Sequence, residues 1–143
     1  MFFVKYRLIT FVVIIALITL VSGCFVVPLS DTTGPTIQNI KTSSKVLAKS
    51  DCIPTSITIT ADVADSSGVK NVTLWYRVGE DQNFAQTNMT LADQDQYTAS
   101  VKALDIPGGE YGAFEFYIIA QDKAGNQAKS STDKSVQLLA CVG

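Results

Sequence analysis

The chain has 143 residues, 47% hydrophobic and 17% charged, with a formal net charge of −2 and no histidine. This length fits one domain with an appendage, and the composition excludes a disordered or collagen-like chain. The charge offers no electrostatic footprint for nucleic acid, and histidine-based triads, metal sites and pH switches are excluded outright.

Residues 1–23 read as an export signal. Lys5 and Arg7 are the only charges before Asp31, and an uncharged, mainly apolar run from Leu8 to Val21 follows them. A basic n-region, an h-region of about 7–15 residues and small residues at its end describe a secretory leader. The run closes on Val21-Ser22-Gly23-Cys24. This cluster resembles the lipobox of bacterial lipoproteins, with Val where Leu is commoner. The resemblance implies cleavage before Cys24 and a diacylglyceryl group on its thiol. Several acyl chains, at about 0.8 kcal/mol per buried CH2, would hold the protein at the membrane. Two alternatives stand beside it. Cys24 is incidental to an ordinary secretory signal, or Leu8–Val27, free of charge, stays as an uncleaved anchor, since about 20 apolar residues can span a bilayer. Both membrane readings put the remainder outside the cytoplasm. Loss of Lys5 and Arg7 with the leader makes the mature chain more acidic.

Residues 24–34 read as a lipidated N-terminus and tether, broken by Pro28 and Gly34. Extended, Cys24 to Gly34 would reach about 33 Å.

From residue 35 the hydrophobic period is two. Thr36–Ile40 is a weak first strand. Ile57, Ile59, Ala61 and Val63 alternate with polar residues in a half-buried strand. The same alternation runs through Val72, Leu74, Tyr76 and Val78, and weakly through Thr87–Leu91. It returns in Tyr97, Ala99 and Val101, in Phe114, Phe116, Ile118 and Ala120, and in Val136, Leu138 and Ala140. Turn-forming stretches separate them, including Asp65-Ser66-Ser67-Gly68, Gly79–Asn83, Ala92–Gln96, Pro107-Gly108-Gly109 and Lys123-Ala124-Gly125-Asn126. About seven short strands with turns at this spacing predict an all-β, antiparallel two-sheet sandwich over residues 35–143.

Asp65-Ser66-Ser67-Gly68-Val69, Val72-x-Leu74-x-Tyr76-Arg77, Tyr97-x-Ala99-x-Val101 and Tyr117–Asn126 together resemble the bacterial immunoglobulin-like and fibronectin type III-like domains. The resemblance covers nearly all of residues 35–141. It implies a single immunoglobulin-like module and leaves function open, because such domains serve as spacers, adhesion modules and enzyme appendages.

With Cys24 assigned to lipid, Cys52 and Cys141 form an even pair in an oxidising compartment, which favours a disulfide. It would close a loop of roughly 90 residues and stabilise by about 4 kcal/mol. Two free thiols are the alternative.

Strand parity puts Thr73, Trp75 and Arg77 outward on one strand and Glu115, Tyr117 and Ile119 outward on another. In the immunoglobulin-like arrangement these strands are neighbours. Trp75, Arg77, Tyr117 and Ile119 are therefore the candidate partner face, suited to an envelope protein or a polysaccharide. The competing reading covers them with the loop around Phe84, with an added edge strand, or by a bulge that turns Trp75 inward. Asp122, Gly125 and Asn126 read as a structural turn. A calcium site from Asp62, Asp65, Asp122 and Asn126 lacks EF-hand spacing, so no metal is expected. Asp93 and Asp95 sit in a polar turn and mark no glycosidase pair. The sequons at Asn71 and Asn88 are chance matches behind a bacterial leader. The expectation is a binding or structural module without catalysis or cofactor. A small enzyme is the alternative from another class.

Overall fold

Period-two alternation in this chain becomes two β-sheets around one apolar core. The computed structural model describes residues 30–49, 54–80, 82–109 and 111–140. The strands are β1 (Thr36–Thr42), β2 (Val46–Ala48), β3 (Ser56–Ala64), β4 (Val69–Val78), β5 (Ala85–Asn88), β6 (Thr90–Asp93), β7 (Gln96–Lys102), β8 (Gly112–Asp122), β9 (Gln127–Lys129) and β10 (Asp133–Leu139). A short 3-10 turn covers Ala103–Asp105, and no α-helix occurs among the described residues.

The first sheet has the order β1-β3-β7-β6 and the second β2-β10-β8-β4-β5, with β9 added to β8 beyond β10. In the long strands the alternate residues face inward as the sequence pattern requires. Ile57, Ile59, Ala61 and Val63 of β3 are fully buried, and so are Leu74, Phe114, Ile118 and Ala120 of the second sheet. Each of the buried Val, Leu, Ile and Phe side chains contributes about 1.5–3 kcal/mol by leaving water. The contacts of both sheets merge into one cluster, to which Leu47, Val101, Val136 and Leu138 also belong.

The all-β, two-sheet expectation holds, with three differences. First, β2 pairs with β10 in parallel, Gln137↔Val46 to Leu139↔Ala48, so the architecture is not wholly antiparallel. Second, β2 and β9 are three-residue strands, too short to show a period. Third, Thr87–Leu91 is not one strand. It breaks at Met89, whose N–H donates to the Val72 carbonyl at 2.9 Å while its side chain enters the core. There the chain leaves the second sheet as β5 and joins the first as β6.

Both edges of the first sheet are irregular. In β1 the register shifts between Gln38 and Lys41, and Asn39 takes φ 51°. In β6 it shifts between Leu91 and Asp93, and Gln94 follows at φ 39°. These are bulge-like breaks in the ladder.

Residues 31–34, expected within the tether, lie against the domain. Asn126 Nδ2 donates to the carbonyls of Asp31 at 3.0 Å and Thr33 at 3.1 Å. The leader with Cys24, and also Cys52 and Cys141, lie outside the described residues.

Candidate functional site

The β4–β8 register brings the outward side chains together in pairs. Thr73 stands opposite Ile119, Trp75 opposite Tyr117 and Arg77 opposite Glu115. The one register shift in this pairing lies between Val69 and Asn71, ahead of these residues, so Trp75 keeps its outward parity. Trp75, Arg77, Tyr117 and Ile119, the residues singled out by sequence, thus share one face of the second sheet, and all four are half-buried.

Their contacts run across the sheet. The Trp75 and Tyr117 rings are parallel to within 6°, with centroids 6.1 Å apart. Lys129 Nζ lies 3.8 Å from the Tyr117 centroid. Lys129 is on β9 and Trp75 on β4, and these strands flank β8 on opposite sides. Tyr117 is therefore held between a tryptophan and an ammonium. Phe84, from the β4–β5 loop, meets Tyr117 edge-on at 4.9 Å. This is the covering by the Phe84 loop that the sequence left open, and it is partial, since Trp75 remains half-buried. Beyond Trp75 stands exposed Gln86 of β5.

Arg77 organises that loop. Its Nη1 donates to the carbonyls of Glu80 at 2.7 Å and Gln82 at 3.2 Å. Its Nε and Nη2 both donate to Oε2 of Glu115, at 3.0 and 2.9 Å. The remaining Glu115 oxygen lies 2.6 Å from Lys134 Nζ, which also reaches Glu80 at 3.2 Å. Glu115 is 3% exposed although it sits on the outward face. Burial alone would raise its pKa. The hydrogen bond from Lys134 outweighs it, and with Arg77 holds the carboxyl below the ordinary glutamate range. The same contacts raise the Lys134 pKa. Sequence reasoning named Glu115 as outward but missed its burial, because Lys134 and Arg77 are remote along the chain.

Asp122, Gly125 and Asn126 lie together in the turn between β8 and β9. Asp122 Oδ1 accepts from the N–H groups of Gly125 at 2.5 Å and Asn126 at 2.8 Å, and Oδ2 accepts from Asn126 Nδ2 at 2.8 Å. Gly125 takes φ 102°, a region glycine favours. Next to this turn the carboxylates of Asp31, Asp65 and Asp122 converge to within 4.8 Å, the one such group among the described residues able to hold a cation. Internal donors reach each of them: Thr33 and Ser66 on Asp31, Ser67 on Asp65, and Gly125 and Asn126 on Asp122. The Thr33 hydrogen bonds lower the Asp31 pKa. Asp31 was missed by sequence, where it reads as tether. Asp62 is elsewhere, accepting from Asn39 Nδ2 at 2.7 Å. Asp62 and Asp95 line a shallow hollow of about 380 Å³ on the first sheet, and with Asp93 a second of about 290 Å³. The sequon residues Asn71 and Asn88 are exposed.

No known protein family matches this chain, and no curated protein matches it.

Proposed function

We propose that the chain is a membrane-anchored, extracytoplasmic module: a lipoprotein attached through Cys24, with one immunoglobulin-like domain that binds a protein of the cell envelope through the Trp75 face and catalyses nothing. The leader and its Val-Ser-Gly-Cys end support the anchor. The strand orders β1-β3-β7-β6 and β2-β10-β8-β4-β5 support the immunoglobulin-like reading, since its motifs fall on the strands and turns that resemblance requires. A Cys52–Cys141 disulfide is part of the proposal. Ala48 supports it: its N–H donates to the Pro54 carbonyl at 2.9 Å, and it pairs with Leu139. The chain two residues after Cys52 and two before Cys141 thus flanks one residue.

The observation that carries the binding reading is Trp75. It is the chain's only tryptophan, it points outward, and it remains half-buried among Tyr117, Arg77 and Gln86. Aromatic anchors ringed by polar groups are the usual energetic centre of protein interfaces. A polysaccharide reading needs an open ring face for stacking, and Tyr117 is flanked by Trp75 and Lys129 and edged by Phe84.

A photo-crosslinking residue at Gln86, introduced in the native host, tests the face. The expected result is one discrete protein adduct, lost on adding Trp75→Ala and absent when the crosslinker sits at Lys102. Adducts that are equal at both positions, or a polysaccharide adduct, overturn the reading. Intact mass from host membranes tests the anchor. A chain starting at Cys24 with added acyl mass, two mass units heavier after reduction, is expected; a chain retaining residues 1–23 overturns it.

A further inference from the structure

The Asp122–Asn126 turn does more than join β8 to β9. Asn126 Nδ2 donates to three acceptors: the Asp122 carboxylate within the turn, and the carbonyls of Asp31 and Thr33 outside it. Asp31 is fixed from a second direction by Ser66 Oγ, at 3.2 Å from its Oδ2. Thr33 donates to the other Asp31 oxygen through both N–H and hydroxyl, at 3.0 and 2.7 Å, which folds residues 31–33 into a local turn. Gly34 then lies so close to β9 that a Cβ there would come within 2.8 Å of the Gln127 carbonyl oxygen. Four residues that would otherwise be linker are thus held against the domain from two loops and one strand.

We infer that this turn is a latch that clamps residues 31–34 to the domain and so sets how much chain separates Cys24 from the first residue held to the domain. The inference rests on the lipid-anchor reading for its biological meaning. Its physical content is the length of the leash. With the latch closed, the span from Cys24 to the first held residue, Asp31, has a reach of at most about 23 Å. With the latch open it runs to Gly34 or beyond, about 33 Å. A shorter leash confines the domain near the bilayer and narrows the orientations in which the Trp75 face is presented. The contacts span loops distant in sequence, so the turn and the strap hold each other. The Asn126 amide is the shared donor, and no other amide side chain reaches both segments among the described residues.

The test uses the full protein as purified from its host, reconstituted in phosphatidylcholine vesicles carrying dansyl-labelled phosphatidylethanolamine. Hydrogen–deuterium exchange reads the peptide containing residues 31–35, and energy transfer from Trp75, the sole tryptophan, reads the distance to the membrane. Two variants attack the latch from opposite sides. Asn126→Ala removes the donor, and Gly34→Ala drives the strap off β9 while leaving the turn residues intact. Both are expected to speed exchange at 31–35 at least tenfold, to leave exchange in β3 unchanged and to lower energy transfer. Unchanged exchange at 31–35 in Gly34→Ala, with the domain folded, overturns the latch even if Asn126→Ala does not fold. Faster exchange with unaltered transfer overturns the leash-length consequence. Failure of the wild-type protein to associate with vesicles overturns the anchor reading and leaves the exchange result to judge the latch alone.

Discussion

The guanidinium carbon of Arg77 lies 4.4 Å from the centre of the Phe84 ring. One side chain on β4 thereby grips the following loop through its carbonyls, its aromatic residue and, across the strand, Glu115. Phe84 is pressed onto Tyr117 as a result. The shape of the outward face depends on this arginine as much as on the aromatic rings.

Arg77→Met keeps much of the aliphatic stem and removes every N–H donor of the guanidinium, and with them its four hydrogen bonds. The carboxylate of Glu115 then keeps only Lys134. Leaving a buried charge half-paired costs about 3–5 kcal/mol when the partner is fully enclosed. Lys134 is half-exposed and can move toward Glu115, so a loss of about 1–3 kcal/mol in urea unfolding is expected. Faster amide exchange over residues 79–84 should accompany it. Lys, with one ammonium, should not rescue the loop.

Stability should respond to acid through the same group. The folded pKa of Glu115 is lowered, chiefly by the Lys134 hydrogen bond, from an ordinary value of 4.5. Its contribution is therefore complete above 4.5 and disappears as pH falls through the lowered value. Asp31, lowered mainly by Thr33, adds in the same direction from 3.8. Lys134 has a raised pKa, so its contribution persists up to its ordinary value of 10.5 and fades above it. With no histidine, melting temperature should be flat from about pH 5.5 to 8 and drop below that plateau. Glu115→Gln should show a lower plateau and a shallower acid decline. A midpoint near pH 6.5 would contradict the assignment.

Trp75→Ala and Leu74→Ala separate outward from inward on adjacent residues. Leu74 is fully buried, and its truncation should cost about 2–5 kcal/mol. Trp75 loses a stacked ring worth about 0.5–1.5 kcal/mol together with partial burial, so a smaller loss is expected in chemical denaturation. Equal losses would place Trp75 with the core residues.

The sequence pattern carried far where side chains alternate strictly. In Ile57 to Val63 and Val72 to Val78 the pattern gives both strand and facing, and the Trp75–Tyr117 juxtaposition needs parity together with the strand neighbours that the resemblance implies. It carried less far where a role depends on three-dimensional neighbours. Met89 continues an apolar alternation from Thr87 to Leu91, yet it is the point at which the chain changes sheets. Val46-Leu47-Ala48 is too short to show a period, and only its pairing with β10 marks it as a strand. Glu115 has the parity of a solvated residue, and only the folded register reveals that Arg77 and Lys134 enclose it. Asp31 looks like linker until Asn126 and Ser66 are brought against it.

Two glycines with positive φ should differ sharply on substitution. Gly125 at φ 102° has nothing within 4 Å of a Cβ position. Gly125→Ala should cost only the backbone penalty of about 1–2 kcal/mol. Gly108, at φ 111°, bridges Val78, and a Cβ there would run into the Val78 carbonyl oxygen. Gly108→Ala should therefore lower stability by clearly more than Gly125→Ala in thermal melts. Similar losses in the two variants would contradict the close approach of Gly108 to β4.

The outermost strands bear on what happens when many copies meet. Strand β2 has three residues, β5 and β6 have four each, and the longer β1 breaks its ladder between Gln38 and Lys41. None offers a long, straight row of free amides and carbonyls onto which a second polypeptide could hydrogen-bond. Domains packed side by side on a surface would reach high local concentration, and this construction of the margins guards against fibril-like growth under those conditions.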